Sequence, residues 1–196
     1  MTRLSFVLFG FLLSVLLTVA GHLDGNGLSP WAHTISDYAA ADRGGAVETA
    51  MGLAALATLA LLPSLHRAER LATALLSVWS GALLVATVVP TDPVGEALST
   101  TGYVHRYAST VAFAALLAAG LRLGFRRLTA AGAAAGLAML ASTYLLHRYA
   151  IGLTERAMAA AEVGMLIALT WRLLRVAAVR QGFLDGTWRV KLALTA

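Results

Sequence analysis

Two glutamates seven residues apart, Glu155 and Glu162, lie in the largely apolar stretch GLTERAMAAAEVGMLIALTW. If the stretch is helical, this separation places both carboxyl groups on one face, two turns apart. Glu162 lies near the middle of the apolar residues between Arg156 and Arg172, too deep for its short side chain to reach a membrane surface. Such a group must face the interior of a helix bundle or a wet cavity, and intramembrane carboxyl groups are candidate functional residues.

Two interpretations of Glu162 are open at this point. In the structural one, its carboxyl group hydrogen-bonds a Ser or Thr of a neighbouring helix or pairs with Arg106 or Arg156. In the catalytic one, the carboxyl group stays protonated in apolar surroundings and donates its proton to a substrate.

Further acids lie at the ends of apolar segments. His33 and Asp37 are four residues apart, so a short helix would place both on one face, and Asp92 lies in the turn VVPTDP. Structural roles would also account for these acids. Ser36 or Asp37 could cap the short helix, and Asp92 could bond its own backbone in the turn. Glu48 could favour the positive N-terminal end of its own helix.

Six apolar runs of membrane-spanning length must position these side chains. They lie near residues 4–21, 46–65, 70–90, 104–121, 128–146 and 155–178. We therefore predict an all-α polytopic membrane protein, with a six-transmembrane-helix bundle in residues 1–180. An outer loop at 22–45 follows the first helix, and a cytoplasmic tail occupies 181–196.

The composition supports this class. With 59% hydrophobic and only 13% charged residues, the chain differs from soluble domains and agrees with membrane proteins. The net charge of +5 does not indicate nucleic acid binding, because the basic residues lie between apolar runs rather than along one helix face. The absence of cysteine excludes disulfides and thiolate chemistry.

The distribution of charge orients the predicted bundle. With the N-terminus in the cytoplasm, eleven of the 15 basic residues lie inside and eight of the ten acids lie outside. Because Lys and Arg are retained on the cytoplasmic side, we predict an N-in, C-in topology. The heavy use of Arg, Ala and Gly is typical of a high-GC bacterial genome, so the predicted location is a bacterial plasma membrane.

The first apolar segment is also compatible with a cleaved signal peptide. It has a basic start, and small residues lie near Ala20. Its apolar run, however, exceeds the usual length of about 7 to 15 residues for a signal peptide. We therefore expect a retained helix.

Most of the polar residues fall at the outer ends of the predicted helices, which indicates a polar pocket open to the outside. The candidate catalytic residues are Glu162, Glu155, Asp92, His105 and His147. The candidate substrate-binding residues are Tyr38, Glu48, Tyr103, Tyr107, Tyr144 and Arg156. An interfacial aromatic belt would equally account for the tyrosines. Candidate ligands of a divalent metal such as zinc are His33, Asp92, His105 and His147.

Three motifs, ISDYAAADRGG, VVPTDPVGEALSTTGYVH and GLTER, resemble a bacterial six-helix membrane family catalogued as domain of unknown function 998. The resemblance covers residues 33 to 178. Its most specific part is the Pro-Thr-Asp-Pro turn, followed by Gly102 and His105. The family carries no established activity, so the resemblance implies the fold and the outer motifs without supplying a reaction.

Two classes of function fit these residues. The first is an enzyme acting on a lipid or isoprenoid, by acid-catalysed isomerisation or cyclisation or by metal-assisted hydrolysis. The second is a non-enzymatic lipid-binding protein or accessory subunit of a membrane complex, and a homo-oligomer is also compatible. A haem held by His105 and His147 is a third hypothesis. The expected partners are membrane lipid and a small hydrophobic ligand or substrate, and not nucleic acid.

Overall fold

The structure is a computed structural model that describes residues 2–23 and 27–181 with their side chains and residues 182–184 by their backbone. Within these ranges the chain forms seven helices. They are α1 (Arg3–Leu23), α2 (Ile35–Ala41), α3 (Ala46–Leu65), α4 (Arg70–Val88), α5 (Thr100–Arg122), α6 (Arg126–Tyr144) and α7 (Ile151–Leu184). Each of the six predicted spans corresponds to one long helix, and α2 lies in the predicted outer loop.

Five of these helices, α1, α3, α4, α5 and α7, are long and apolar enough to cross a membrane. The chain is therefore a helical membrane protein. The predicted fifth span, α6, has 19 residues but falls outside this set. Nearly half of its residues are Ala or Gly, and Arg126 and Arg127 lie at its start; such residues are less hydrophobic than the Leu and Val of the other spans.

Local signals explain where several helices begin. Thr34 caps α2 with a capping box, in which its hydroxyl accepts from Asp37 N–H and the Asp37 side chain accepts from Thr34 N–H. Ser99 caps α5 by accepting from Gly102 N–H. The expectation that Ser36 or Asp37 caps α2 is confirmed for Asp37, whose side chain completes the capping box, while the N-cap position itself is held by Thr34.

The long helices form a ring. Helix α3 packs between α1 and α4, and α4 packs against α5. Helix α5 contacts α6, α6 packs against α7, and α7 closes the ring by contacting α1. The main core fills the end of the bundle remote from α2, with Leu61, Leu76, Leu116 and Leu166 among its fully buried members. A second, small core holds Tyr38, Ala39 and Val47, and it attaches α2 to α3.

Helix α7 extends beyond its predicted end and continues to Leu184, past the predicted start of the tail at residue 181. The rest of the predicted cytoplasmic tail, residues 185–196, lies outside the described residues.

Candidate functional site

A half-open cavity of about 440 Å³ lies between α1, α3, α4, α5 and α7, toward the end covered by α2. Its walls are mainly apolar side chains of α1, α3, α4, α5 and α7, and α2 with the loop before it contributes Pro30, Ile35 and Ser36. Two acids line it, Glu155 and Glu162. The structure thus brings the two predicted carboxyl groups to one cavity, as their spacing on a helix requires.

Glu162 is the deeper of the two acids and is only 2% exposed. Trp79 of α4 lies beside its carboxyl group and lines the same cavity. The other side of the group is unsatisfied, since Oε1 has no hydrogen-bond partner among the described residues. Neither Arg106 nor Arg156 forms an ion pair with it among the described residues. The predicted structural tie through an arginine is therefore not formed.

Glu155 has a different environment, although it is equally buried. Its Oε2 accepts the backbone N–H of Ile35 at 2.5 Å, at the first residue of α2. The first N–H groups of a helix have no partner within the helix, so the carboxylate satisfies one of them and fixes α2 over the cavity. Glu155 is thus a structural contact as well as part of the cavity wall.

Arg156 also joins α7 to the loop before α2. Its Nη1 donates to the carbonyl oxygens of Pro30 at 2.8 Å and His33 at 2.7 Å. Its guanidinium lies over the Tyr38 ring, 5.2 Å from the ring centre, a cation–π contact. Its Nη2 is buried and has no hydrogen-bond partner among the described residues.

His22, at the end of α1, completes this end of the cavity. Its ring packs on Tyr38 with a centroid separation of 4.1 Å, and its Nδ1 bonds the Thr18 carbonyl at 2.5 Å. Its Nε2 has no partner within the described part of the chain. Tyr38 is 1% exposed and its hydroxyl donates to the Leu28 carbonyl, so it supports His22 and Arg156 rather than lining the cavity.

His105 lies just behind the cavity wall. Its Nδ1 bonds the Val89 carbonyl at 3.0 Å and its Nε2 bonds the Ser36 hydroxyl at 3.1 Å. Because a carbonyl only accepts, Nδ1 carries the hydrogen, and in the neutral ring Nε2 accepts from Ser36. His105 therefore orients Ser36, the residue that reaches the cavity.

The remaining predicted residues lie outside the cavity lining. Asp92 accepts the Ser99 backbone N–H at 2.9 Å. Hydrogen bonds from Ser99, with the side chain contributing more than the backbone, hold the pKa of Asp92 below its ordinary value. Glu48 pairs with Arg43 and accepts the Gly44 N–H at 2.6 Å. Exposed positions are occupied by Tyr103, Tyr107, Tyr144 and His147. Both acids act in local turns, and the exposed tyrosines agree with an interfacial belt.

The candidate metal ligands are not brought together. Among the described residues, no three His, Asp or Glu side chains are arranged to hold a metal ion. His33 Nδ1 accepts the Ser29 N–H at 2.9 Å, and both ring nitrogens of His105 are engaged. His147 is exposed in a loop, whereas both ring nitrogens of the buried His105 form hydrogen bonds, so His105 has no ring nitrogen free for the haem hypothesis.

The sequence interpretation missed His22, Ser36 and Trp79 as residues of the site. His22 lies one helical turn after Thr18, so a polar stripe was present on the first apolar segment. Trp79 has no distinguishing sequence signal, because a tryptophan in an apolar run is compatible with any burial.

Residues 8–172 match the family described as "Protein of unknown function (DUF998)", and the chain belongs to this family. The resemblance based on the three motifs is thereby confirmed. Comparisons with curated proteins and with solved structures gave no match.

Proposed function

We propose that this family member is a six-span, N-in and C-in protein of a bacterial plasma membrane that takes a lipid or isoprenoid from the outer leaflet into its cavity. One observation carries the proposal: the buried Glu162 carboxyl group has an oxygen without a partner in the described residues and lines an apolar cavity. An unsatisfied buried polar atom is costly, and natural proteins retain such atoms at functional sites.

The lining of the cavity indicates the class of ligand. Apolar side chains form most of the wall beside Glu162, among them Val15 and Val19 of α1, Leu83 of α4 and Phe113 of α5. A volume of about 440 Å³ is within the usual range for sites of small molecules. An apolar chain or ring system fits these walls, with a polar or reactive group beside Glu162.

Acid-initiated isomerisation or cyclisation is the reaction that this geometry favours over metal-assisted hydrolysis. Glu162 would protonate a carbon–carbon double bond, the resulting carbocation would rearrange, and loss of a proton to the carboxylate would restore Glu162. Trp79 lines the cavity beside this carboxyl group, and an aromatic face stabilises a cation. The ligand-binding function without chemistry is the second candidate, because Glu155 and Arg156 already have structural hydrogen bonds.

Ligand occupancy tests the proposal directly. We would purify the full chain in detergent and identify the bound lipids by native mass spectrometry. Ala159→Phe places a ring into the cavity that Ala159 lines, whereas Ala157→Phe is a matched control on the exposed side of α7. The proposal requires a bound lipid that Ala159→Phe removes and Ala157→Phe retains. Equal occupancy in both variants would overturn it.

Glu162→Gln separates the two candidates. Glutamine keeps the shape and hydrogen bonding of the side chain but has no transferable proton. An enzyme would retain its lipid in this variant but fail to convert it, as judged from the chemical identity of the bound molecule. If the same molecule, bound to the same extent, is recovered from both proteins, the acid-catalysed reaction is excluded and ligand binding remains.

The topology can be tested because the chain has no cysteine of its own. Single cysteines at the exposed positions Val94 and Leu146 would react with a membrane-impermeant maleimide on intact cells, while those at Ala68 and Arg126 would be protected. Labelling of both Arg126→Cys and Leu146→Cys would show that α6 does not cross the membrane, because these positions flank that helix.

A further inference from the structure

The end of the cavity beside α2 holds a second set of unsatisfied polar atoms, separate from Glu162. They are His22 Nε2 and Arg156 Nη2, each buried and without a hydrogen-bond partner in the described residues. Both residues line the cavity, and both pack against the ring of Tyr38. Arg156 is six residues before Glu162, so along a helix the two polar ends are about 9 Å apart. A ligand with one polar end would thus reach Glu162 with its apolar part.

The hydrogen bond from His22 to Thr18 determines what His22 can offer to a ligand. The Thr18 carbonyl accepts from Nδ1, so Nδ1 carries the hydrogen of the neutral ring and Nε2 presents a lone pair. Arg156 Nη2, in contrast, only donates. The matching ligand group must donate one hydrogen bond and accept another, and a hydroxyl group does both.

An anionic head would not match both atoms. A carboxylate or a fully ionised phosphate only accepts hydrogen bonds, so it would leave the lone pair of His22 Nε2 without a donor. Arg148 pairs with Asp37, with Nη2 and Oδ2 at 3.0 Å.

We propose that this end of the cavity binds the uncharged hydroxyl head of an isoprenoid or lipid alcohol. The hydroxyl hydrogen bonds His22 Nε2, and the hydroxyl oxygen accepts from Arg156 Nη2. The alkyl part extends between α1, α5 and α7 toward Glu162. This inference rests on the proposed function, since it specifies the ligand class of the same cavity.

Three farnesyl compounds with the same tail test the head group. The probes are farnesol, farnesyl methyl ether and farnesyl phosphate, competed against tritiated farnesol on the full chain in lipid nanodiscs. The ether keeps the oxygen but loses the donor to His22, so we expect it to bind about tenfold more weakly than farnesol, the loss of about one hydrogen bond. The phosphate is expected to bind more weakly than farnesol as well.

His22→Phe assigns the preference to its residue. Phenylalanine retains a ring against Tyr38 and removes Nε2, so the alcohol and the ether should then bind equally, with the affinity for the ether unchanged. Leu16→Phe is the control on the same helix, because Leu16 is exposed and does not line the cavity. It should retain the preference for the alcohol.

The outcomes separate this inference from the proposed function. Equal binding of farnesol and its methyl ether to the unaltered protein, or tighter binding of the phosphate, would overturn the hydroxyl assignment while the apolar cavity still binds a ligand. Failure of all three compounds to bind, together with equal lipid occupancy in Ala159→Phe and Ala157→Phe, would overturn both. The comparison in the unaltered protein decides the assignment even if His22→Phe does not fold.

Discussion

Replacing either buried glutamate of α7 by methionine should change stability in opposite directions. Glu155 and Glu162 are 4% and 2% exposed, and both line the same cavity. Glu155 accepts the Ile35 N–H, whereas one oxygen of Glu162 has no partner in the described residues. A structural carboxyl group stabilises the fold, but a carboxyl group retained for function lowers its stability.

The magnitudes follow from these contacts. Glu155→Met leaves the Ile35 N–H without its partner, which costs about 1–3 kcal/mol, so the variant should destabilise the protein by about this amount. An unsatisfied buried polar group costs about 1–3 kcal/mol, so Glu162→Met should stabilise it by a similar amount. For a chain of this size, 1 kcal/mol corresponds to about 2–4 °C in Tm. The two variants should therefore move the Tm apart by at least about 4 °C.

The assay is thermal unfolding of the purified, delipidated protein in one detergent, followed by circular dichroism. Delipidation is needed because a bound ligand stabilises the folded state and would mask the effect at Glu162. A Tm that falls in Glu162→Met as far as in Glu155→Met would show that Glu162 is a structural tie. The assignment of Glu162 to a functional site would then lose its physical basis.

Three further predictions concern residues outside the cavity. Hydrogen bonds from Ser99 keep the pKa of Asp92 below its ordinary value of 3.8. Ionised Asp92 therefore stabilises the fold above this pH, and this stabilisation is lost as the pH falls through the pKa of the folded state. The Tm difference between the unaltered protein and Asp92→Asn should accordingly be present at pH 7 and shrink below about pH 4. Gly102→Ala should lower the Tm, because the added Cβ would collide with the Asp92 carboxylate. The control Gly81→Ala, with open space around it, should raise stability by up to about 1 kcal/mol. Equal effects of the two substitutions on the Tm would refute the collision. His147→Gly should stabilise the protein by about 1 kcal/mol, because His147 has a positive φ. Farnesol binding should not change, and weaker binding by this variant would show that His147 contributes to the site.

Much of the helical layout was predictable because it depends on local sequence. The bounds of α3 agree with the predicted span at 46–65, and α4 differs from its span only at the C-terminal end, where Pro90 and Pro93 follow. The sequence pattern does not single out the capping box of α2, although Thr34 precedes the Ser-Asp-Tyr motif by two residues. An N-cap depends on backbone conformation, which composition alone does not specify.

The candidate site was predictable only in part. The spacing of Glu155 and Glu162 placed them on one face because a helix has a fixed period. Their different roles depend on Ile35, which is 120 residues away from Glu155 in the chain. Asp92 and His147 resembled site residues because acids and histidines at helix ends are common to sites and to turns, and only their contacts distinguish the two.

The sequence by itself determined the class of protein, the long helices and the presence of a carboxyl group deep in an apolar segment. These properties follow from hydrophobicity and helical period, which act over neighbouring residues. The tertiary structure alone decided that His22 and Trp79 join Glu162 around one cavity and that Glu48 does not. The reason is that hydrogen-bond satisfaction is a property of the packed bundle, in which each polar atom either finds a partner on a distant helix or is left to bind a ligand.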